Sequence, residues 1–159
     1  MNTKLMFELS NAVVLPFWLL LILVPRQLWA VRIVRSPWIA ALPAMFYIAL
    51  IVPTLIRLGP GIFSAFSSLE GVASLLASPE GAAAAWAHLL AFDLLVGRWV
   101  FLDAHERGIR TLIIGPVLFF IFMLGPLGFL AYLVVRSFDI LAKRHPSMTP
   151  APATGSAAR

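Results

Sequence analysis

Thr111-Leu-Ile-Ile-Gly115-Pro116-Val-Leu-Phe-Phe120-Ile-Phe-Met-Leu-Gly125-Pro126-Leu-Gly128-Phe-Leu-Ala-Tyr132-Leu-Val-Val135 is a run of 25 residues without one charged side chain. A bilayer core about 30 Å thick is crossed by roughly 20 helical residues rising about 1.5 Å each, so the run reads as a membrane span. A second charge-free run, Trp38–Ile56, reads the same way. Gly81–Leu102 and Phe7–Val24 are also long enough, although the former carries ionisable residues and the latter opens on Glu8, Ser10 and Asn11. The expected fold class is all-α: a polytopic membrane protein with four transmembrane helices in one bundle.

Composition agrees. Hydrophobic residues make up 61% of the 159-residue chain and charged residues 12%, against about 45–50% and about 25% in soluble domains. A soluble fold of this size has too little interior to hide that much apolar surface. Cysteine is absent, which excludes disulfides, thiolate metal sites and thiol nucleophiles. The formal charge of +5 lies at the edges of apolar runs, which suits anionic lipid headgroups. The bilayer is therefore an expected partner, and nucleic acid is not.

Between the second and third runs, Gly61–Ala77 places Ile62, Phe66, Leu69, Ala73 and Leu76 on one helical face and Ser64, Ser67, Ser74 and Ser78 on the other. That pattern predicts a short interfacial helix. Ser78-Pro79-Glu80 reads as a helix start: a capping hydroxyl, a proline suited to the first turn and an acid at the positive end of the helix dipole. A signal peptide is the competing reading of the first run. Pro25-Arg26-Gln27-Leu28-Trp29 lacks a small-residue cleavage pattern, however, and the arginines follow the apolar run instead of preceding it, so the first helix is expected to be retained. Residues 1–145 form the expected transmembrane domain, and 146–159, rich in proline, alanine, serine and threonine, a disordered tail. With four spans the basic residues tie, Arg26, Arg32, Arg35, Arg107 and Arg110 against Lys4, Arg57, Arg136, Lys143 and Arg144, and only the arginine-only first loop leans toward the cytoplasm.

The third run carries the chemistry. His88 and Asp93 fall near its middle, where an ionised group costs at least about 2.5–3.5 kcal/mol unless it finds partners or water. His88, Asp93, Arg98 and Asp103 recur every five positions, each turned about 140° from the last, so they face different neighbours. Asn11, Tyr47 and Thr54 are candidate partners for His88, while Arg98 can fold toward Asp93 or Asp103. The structural alternative is an Asp93–Arg98 ion pair that fixes packing and register, with His88 a satisfied polar residue. His88 and Asp103 stand about 22 Å apart along the helix, too far to share a metal ion, and no metal is expected; Asp103, His105 and Glu106 would make at most a small loop site. Pro16, Pro43, Pro53, Pro116 and Pro126 lie inside the apolar runs, where kinks would open space in the bundle. Three histidines are too few for a di-iron histidine-box enzyme, and no glycine-rich dinucleotide fingerprint is present, so any reaction is expected to proceed by acid–base chemistry without a cofactor.

Ala-His88-Leu-Leu-Ala-Phe-Asp93-Leu-Leu-Val-Gly97-Arg98-Trp99 with Asp103 after it, Gly125-Pro126-Leu127-Gly128 through Arg136, and the early Leu15-Pro16-Phe17-Trp18 together carry a family likeness. The chain resembles the abscisic-acid-deficient-four-like family, whose plant members are neoxanthin synthases, over nearly its whole length before the tail. The resemblance implies a membrane isomerase acting on a carotenoid or related polyene, by a reaction in which an epoxide opens and an allene forms. Such a reaction needs one acid and one base about the ring end. On that reading Asp93 is the base and His88 the acid or hydrogen-bond donor, Arg98 stabilises Asp93, Asp103 steadies Arg98, and Trp86, Phe92 and Trp99 pack against the polyene. Because the chain opens directly on its first span without a serine-rich transit segment, a prokaryotic member in a bacterial inner (cytoplasmic) membrane is expected. Homo-oligomers or other membrane enzymes are the expected protein partners. Two competing functions are a noncatalytic pigment-binding or assembly factor and a small proton-coupled carrier, the latter disfavoured because no inverted repeat is visible.

Overall fold

Ser78 starts the helix about which the molecule is organised. Its hydroxyl accepts the Gly81 N–H at 3.0 Å, Pro79 fills a first-turn position that needs no donor, and Glu80 follows at the positive end. The resulting helix, α6 (Pro79–Arg107), is 29 residues long and ends at Gly108, whose φ of 71° lets the chain turn away. A computed structural model describes residues 2–23 and 27–144. The expected tail over 146–159 and the Pro25-Arg26 stretch lie outside the described residues.

Two helices flank α6 in opposite directions. The first, α1 (Thr3–Leu23), runs parallel to it: Thr3 reaches Glu80, Asn11 reaches Trp86, and Trp18 lies on Gly97. After the short α2 (Leu28–Arg35), α3 (Trp38–Leu58) runs antiparallel, with Tyr47 against His88 and Leu50 packed in a cluster with Ala83, Ala84 and Ala87. Small residues on α6 allow this approach. At Gly97 a Cβ would lie 2.6 Å from Cη2 of Trp18, so the indole, 1% exposed, rests directly on the α6 backbone. All described residues in regular structure are helical. Three stretches, Thr3–Leu23, Trp38–Ser67 and Pro79–Arg107, are long and apolar enough to cross a membrane. The chain is a membrane protein by this measure, and its outward-facing leucines and phenylalanines, Leu28 at 83% and Leu112 at 86% exposure among them, are surface that lipid would cover.

The charge-free run of Thr111–Val135 is not one span. It breaks at Gly125, with φ 39° and ψ −97°, into α7 (Thr111–Leu124) and α8 (Pro126–Arg144). The chain reverses there: Gly128 lies against the backbone of Phe120 and Ile121, a contact that leaves no room for a side chain. Successive contacts give the direction. Gly125 sits at Asp93, Phe129 and Tyr132 at Trp99, Tyr132 and Arg136 at Asp103, and Asp139 at Arg107, so α8 climbs back to the C-terminal end of α6. A glycine able to adopt positive φ followed by a proline without an N–H allows this reversal, whereas hydropathy is blind to direction. With only 14 residues, α7 is about 21 Å long, short of a full crossing.

The segment expected to be one interfacial helix is also divided. A 3₁₀ turn (Gly59–Gly61) leads into α4 (Ile62–Ser67); Ser68 is extended, and its hydroxyl accepts the Gly71 N–H to begin α5 (Leu69–Ala77). Ser68, which lies outside the expected polar face of Ser64, Ser67, Ser74 and Ser78, is a cap that restarts the helix. Helices continue through Pro16, Pro43, Pro53 and Pro116, whereas at Gly125-Pro126 the chain reverses.

Candidate functional site

The four polar positions of α6, His88, Asp93, Arg98 and Asp103, lead to four different surroundings. Asp93, half-buried, faces the hairpin tip: a Cβ on Gly125 would lie 2.6 Å from Oδ1 and 3.4 Å from Oδ2. The carboxylate opens into a pocket of about 370 Å³ walled by Val14 and Leu15 of α1, Trp86 and Leu90 of α6, and Phe122 and Pro126 of the hairpin. Asn11 is the other polar side chain in that lining, and its Oδ1 accepts the Trp86 Nε1–H at 2.9 Å while its Nδ2 donates to the Phe7 carbonyl at 2.8 Å. Asn11 was expected near His88. It instead orients the indole beside Asp93.

His88 is exposed on another side of α6, its ring 5.1 Å from Tyr47 and 4.7 Å from Phe92. It lines a separate pocket of about 380 Å³ between α3, α5 and α6, where Tyr47 and Thr54 supply side-chain hydroxyls. Leu89 lines both pockets. With Phe92 it forms an exposed ridge, at 53% and 54% exposure, between the histidine and the aspartate. The two groups thus border one open face of α6 from its opposite edges, about 140° apart around the axis and about 7.5 Å apart along it.

Arg98 does not pair with Asp93 or Asp103 as expected. Its Nε donates to the Val34 carbonyl at 2.7 Å and its Nη2 to the Arg35 carbonyl at 2.6 Å, satisfying the last turn of α2. Asp103 is likewise engaged elsewhere. Its Oδ2 accepts from Arg107 Nε at 2.7 Å and from the Tyr132 hydroxyl, and Arg136 Nε stands 3.2 Å away. Arg107 continues to Asp139 at 3.8 Å, and Trp99 lies edge-on to Tyr132 and Phe129 with the Arg136 guanidinium 5.6 Å from its ring. This cluster ties α8 to α6. His105 and Glu106 are exposed beside it, and among the described residues no group of three His, Cys, Asp or Glu side chains is arranged to hold a metal ion.

Of the residues expected to form one site, then, Asp93 and Trp86 share a pocket, His88 lines a different one with its ring against Phe92, and Trp99, Arg98 and Asp103 belong to the upper half of α6. Gly125 and Pro126 as pocket residues, and Tyr132 as the hydroxyl donor to Asp103, were not evident from the sequence. The Gly-Pro-Leu-Gly stretch was the available signal. It marked a bend, but not that the bend would deliver backbone to Asp93.

Compared with known proteins, residues 5–132 match the ABA4-like family, described as ABA DEFICIENT 4-like. The matched stretch takes in every residue that lines the two pockets. No curated protein matches, and no solved structure does.

Proposed function

We propose, since the chain belongs to the ABA DEFICIENT 4-like family, that it is a membrane-embedded carotenoid-modifying protein, an isomerase of the neoxanthin-synthase type that acts on a carotenoid or related polyene from within a bacterial cytoplasmic membrane. One observation carries the reading: a half-buried carboxylate, Asp93, in an apolar pocket at the middle of a helix long enough to cross the bilayer. A carboxylate in that setting is expensive and is by default a functional group. The pocket walls suit a polyene end group, with Trp86 held in place by Asn11.

In the proposed reaction Asp93 takes a carbon-bound proton. The electron pair left behind forms the new double bond of the allene, the epoxide C–O bond breaks, and the oxygen gains a proton to become a hydroxyl, so product and substrate are isomers. His88 lies across the Leu89–Phe92 ridge from Asp93, and its proposed role is to donate that proton or a hydrogen bond from the other edge of the face. Phe92, its ring against His88, is proposed to pack on the polyene from that ridge. Arg98, Asp103 and Trp99 act at one remove, holding α2 and the hairpin against α6 and thereby fixing the tip on Asp93. They are positioning residues.

A second reading, a noncatalytic pigment-binding or assembly factor, is favoured by the separation of His88 and Asp93 into different pockets. Pigment extracts of a host that makes carotenoid epoxides, with and without the chain, distinguish the two. The isomerase reading expects a carotenoid of unchanged mass and altered retention only when the chain is present. Unchanged pigments at good expression would favour the second.

A further inference from the structure

The four-span arrangement would leave α8 at the end of the molecule where α6 begins, and the contacts place it at the other. We infer that α7 and α8 form a re-entrant hairpin, dipping from the arginine-rich end of α6 to mid-depth and returning, so that the Asp93 pocket opens toward the opposite leaflet. Asp93 is the fifteenth of the 29 residues of α6, and the hairpin tip lies against it. Below that tip the pocket continues along α6 to Leu90, Leu89 and Trp86, and along α1 to Asn11, toward the end where α6 begins. Above it, Phe129, Tyr132 and Arg136 cover the same helix. The hairpin therefore fills one half of the membrane thickness beside α6 and roofs an opening in the other half.

Reversal of the chain also breaks the charge tie. Arg136 joins Arg107 at the C-terminal end of α6, where Arg110 begins α7 and where α2, with Arg32 and Arg35, is held by Arg98. Lys4 near the start of α1 and Arg57 at the end of α3 remain at the other end, among Glu8, Glu70 and Glu80. Arginines concentrated on one face mark it as cytoplasmic. A lipophilic substrate would then reach Asp93 from the non-cytoplasmic leaflet. That last consequence rests on reading Asp93 as the reaction centre; the topology does not.

The absence of cysteine makes the test direct. Single-cysteine variants at exposed positions, Arg32→Cys, Glu106→Cys, Ser137→Cys and Leu141→Cys on one face and Ser67→Cys on the other, are treated with a membrane-impermeant maleimide in right-side-out and inverted vesicles. The first four are expected to label in inverted vesicles and lose labelling in right-side-out ones, with Ser67→Cys the reverse. Two α8 positions guard against one variant failing to insert. Labelling of Ser137→Cys and Leu141→Cys together with Ser67→Cys would overturn the hairpin, and all positions inverted as a set would overturn the leaflet assignment. Neither outcome depends on the pigment assay, so failure of the topology and failure of the isomerase reading are separable.

Discussion

At the scale of single residues, the molecule separates groups that build from the group proposed to react. Gly125 does both. Its φ of 39° is strained for any residue with a Cβ, by about 1–2 kcal/mol, and that Cβ would meet the Asp93 carboxylate at 2.6 Å. Gly125→Ala is expected to lower thermal stability in detergent by about that amount and to lower product formation further, because it displaces the carboxylate as well as the turn. Stability loss with full product formation would show that the tip does not position Asp93. At Asp103 the expectation differs. Tyr132→Phe leaves one oxygen of a partly buried carboxylate without its hydroxyl donor, a loss of about 1–3 kcal/mol, and should reduce the melting temperature while leaving the product spectrum unchanged.

At the scale of elements, each helix boundary has a local chemical cause, and local causes are what a sequence exposes. Ser78→Ala removes the cap of α6 and is expected to destabilise by about 1 kcal/mol, measurable as a lower unfolding midpoint. That helix start was readable because hydroxyl, proline and acid fall within three consecutive residues. The Ser68 cap, by contrast, went unread because the apolar and serine faces of 61–77 fit an uninterrupted amphipathic helix equally well. The partners of Arg98 were unreadable for another reason. They are backbone carbonyls more than sixty residues away, on a helix of eight residues that hydropathy does not announce. Arg98→Ala should leave α6 intact and loosen α2, seen as faster hydrogen exchange over 28–35; unchanged exchange there would remove its positioning role.

For the whole molecule, the all-α class and three of the long apolar stretches follow from composition and run length, because burying backbone polar groups in lipid leaves helices as the available solution. The fourth run was read correctly as apolar and helical and wrongly as continuous. Period and hydropathy are the same for a straight helix and for two halves folded against each other. The difference lies in one glycine–proline pair and in where Arg136 and Asp139 find partners, both properties of the folded chain. The candidate site was half legible for the same reason: the expense of Asp93 in a membrane helix can be read from its position, but the backbone turn that roofs it arrives from more than thirty residues away.

The proposed function turns on a reacting Asp93 carboxylate. Product formation by Asp93→Asn, measured by chromatography of pigments from a carotenoid-making host at membrane levels matched to the unaltered chain, tests it most directly. Loss of a general base is worth about 10²–10⁴ in rate, so at least a hundredfold drop is expected with insertion unchanged. Undiminished product from the asparagine variant would contradict the account.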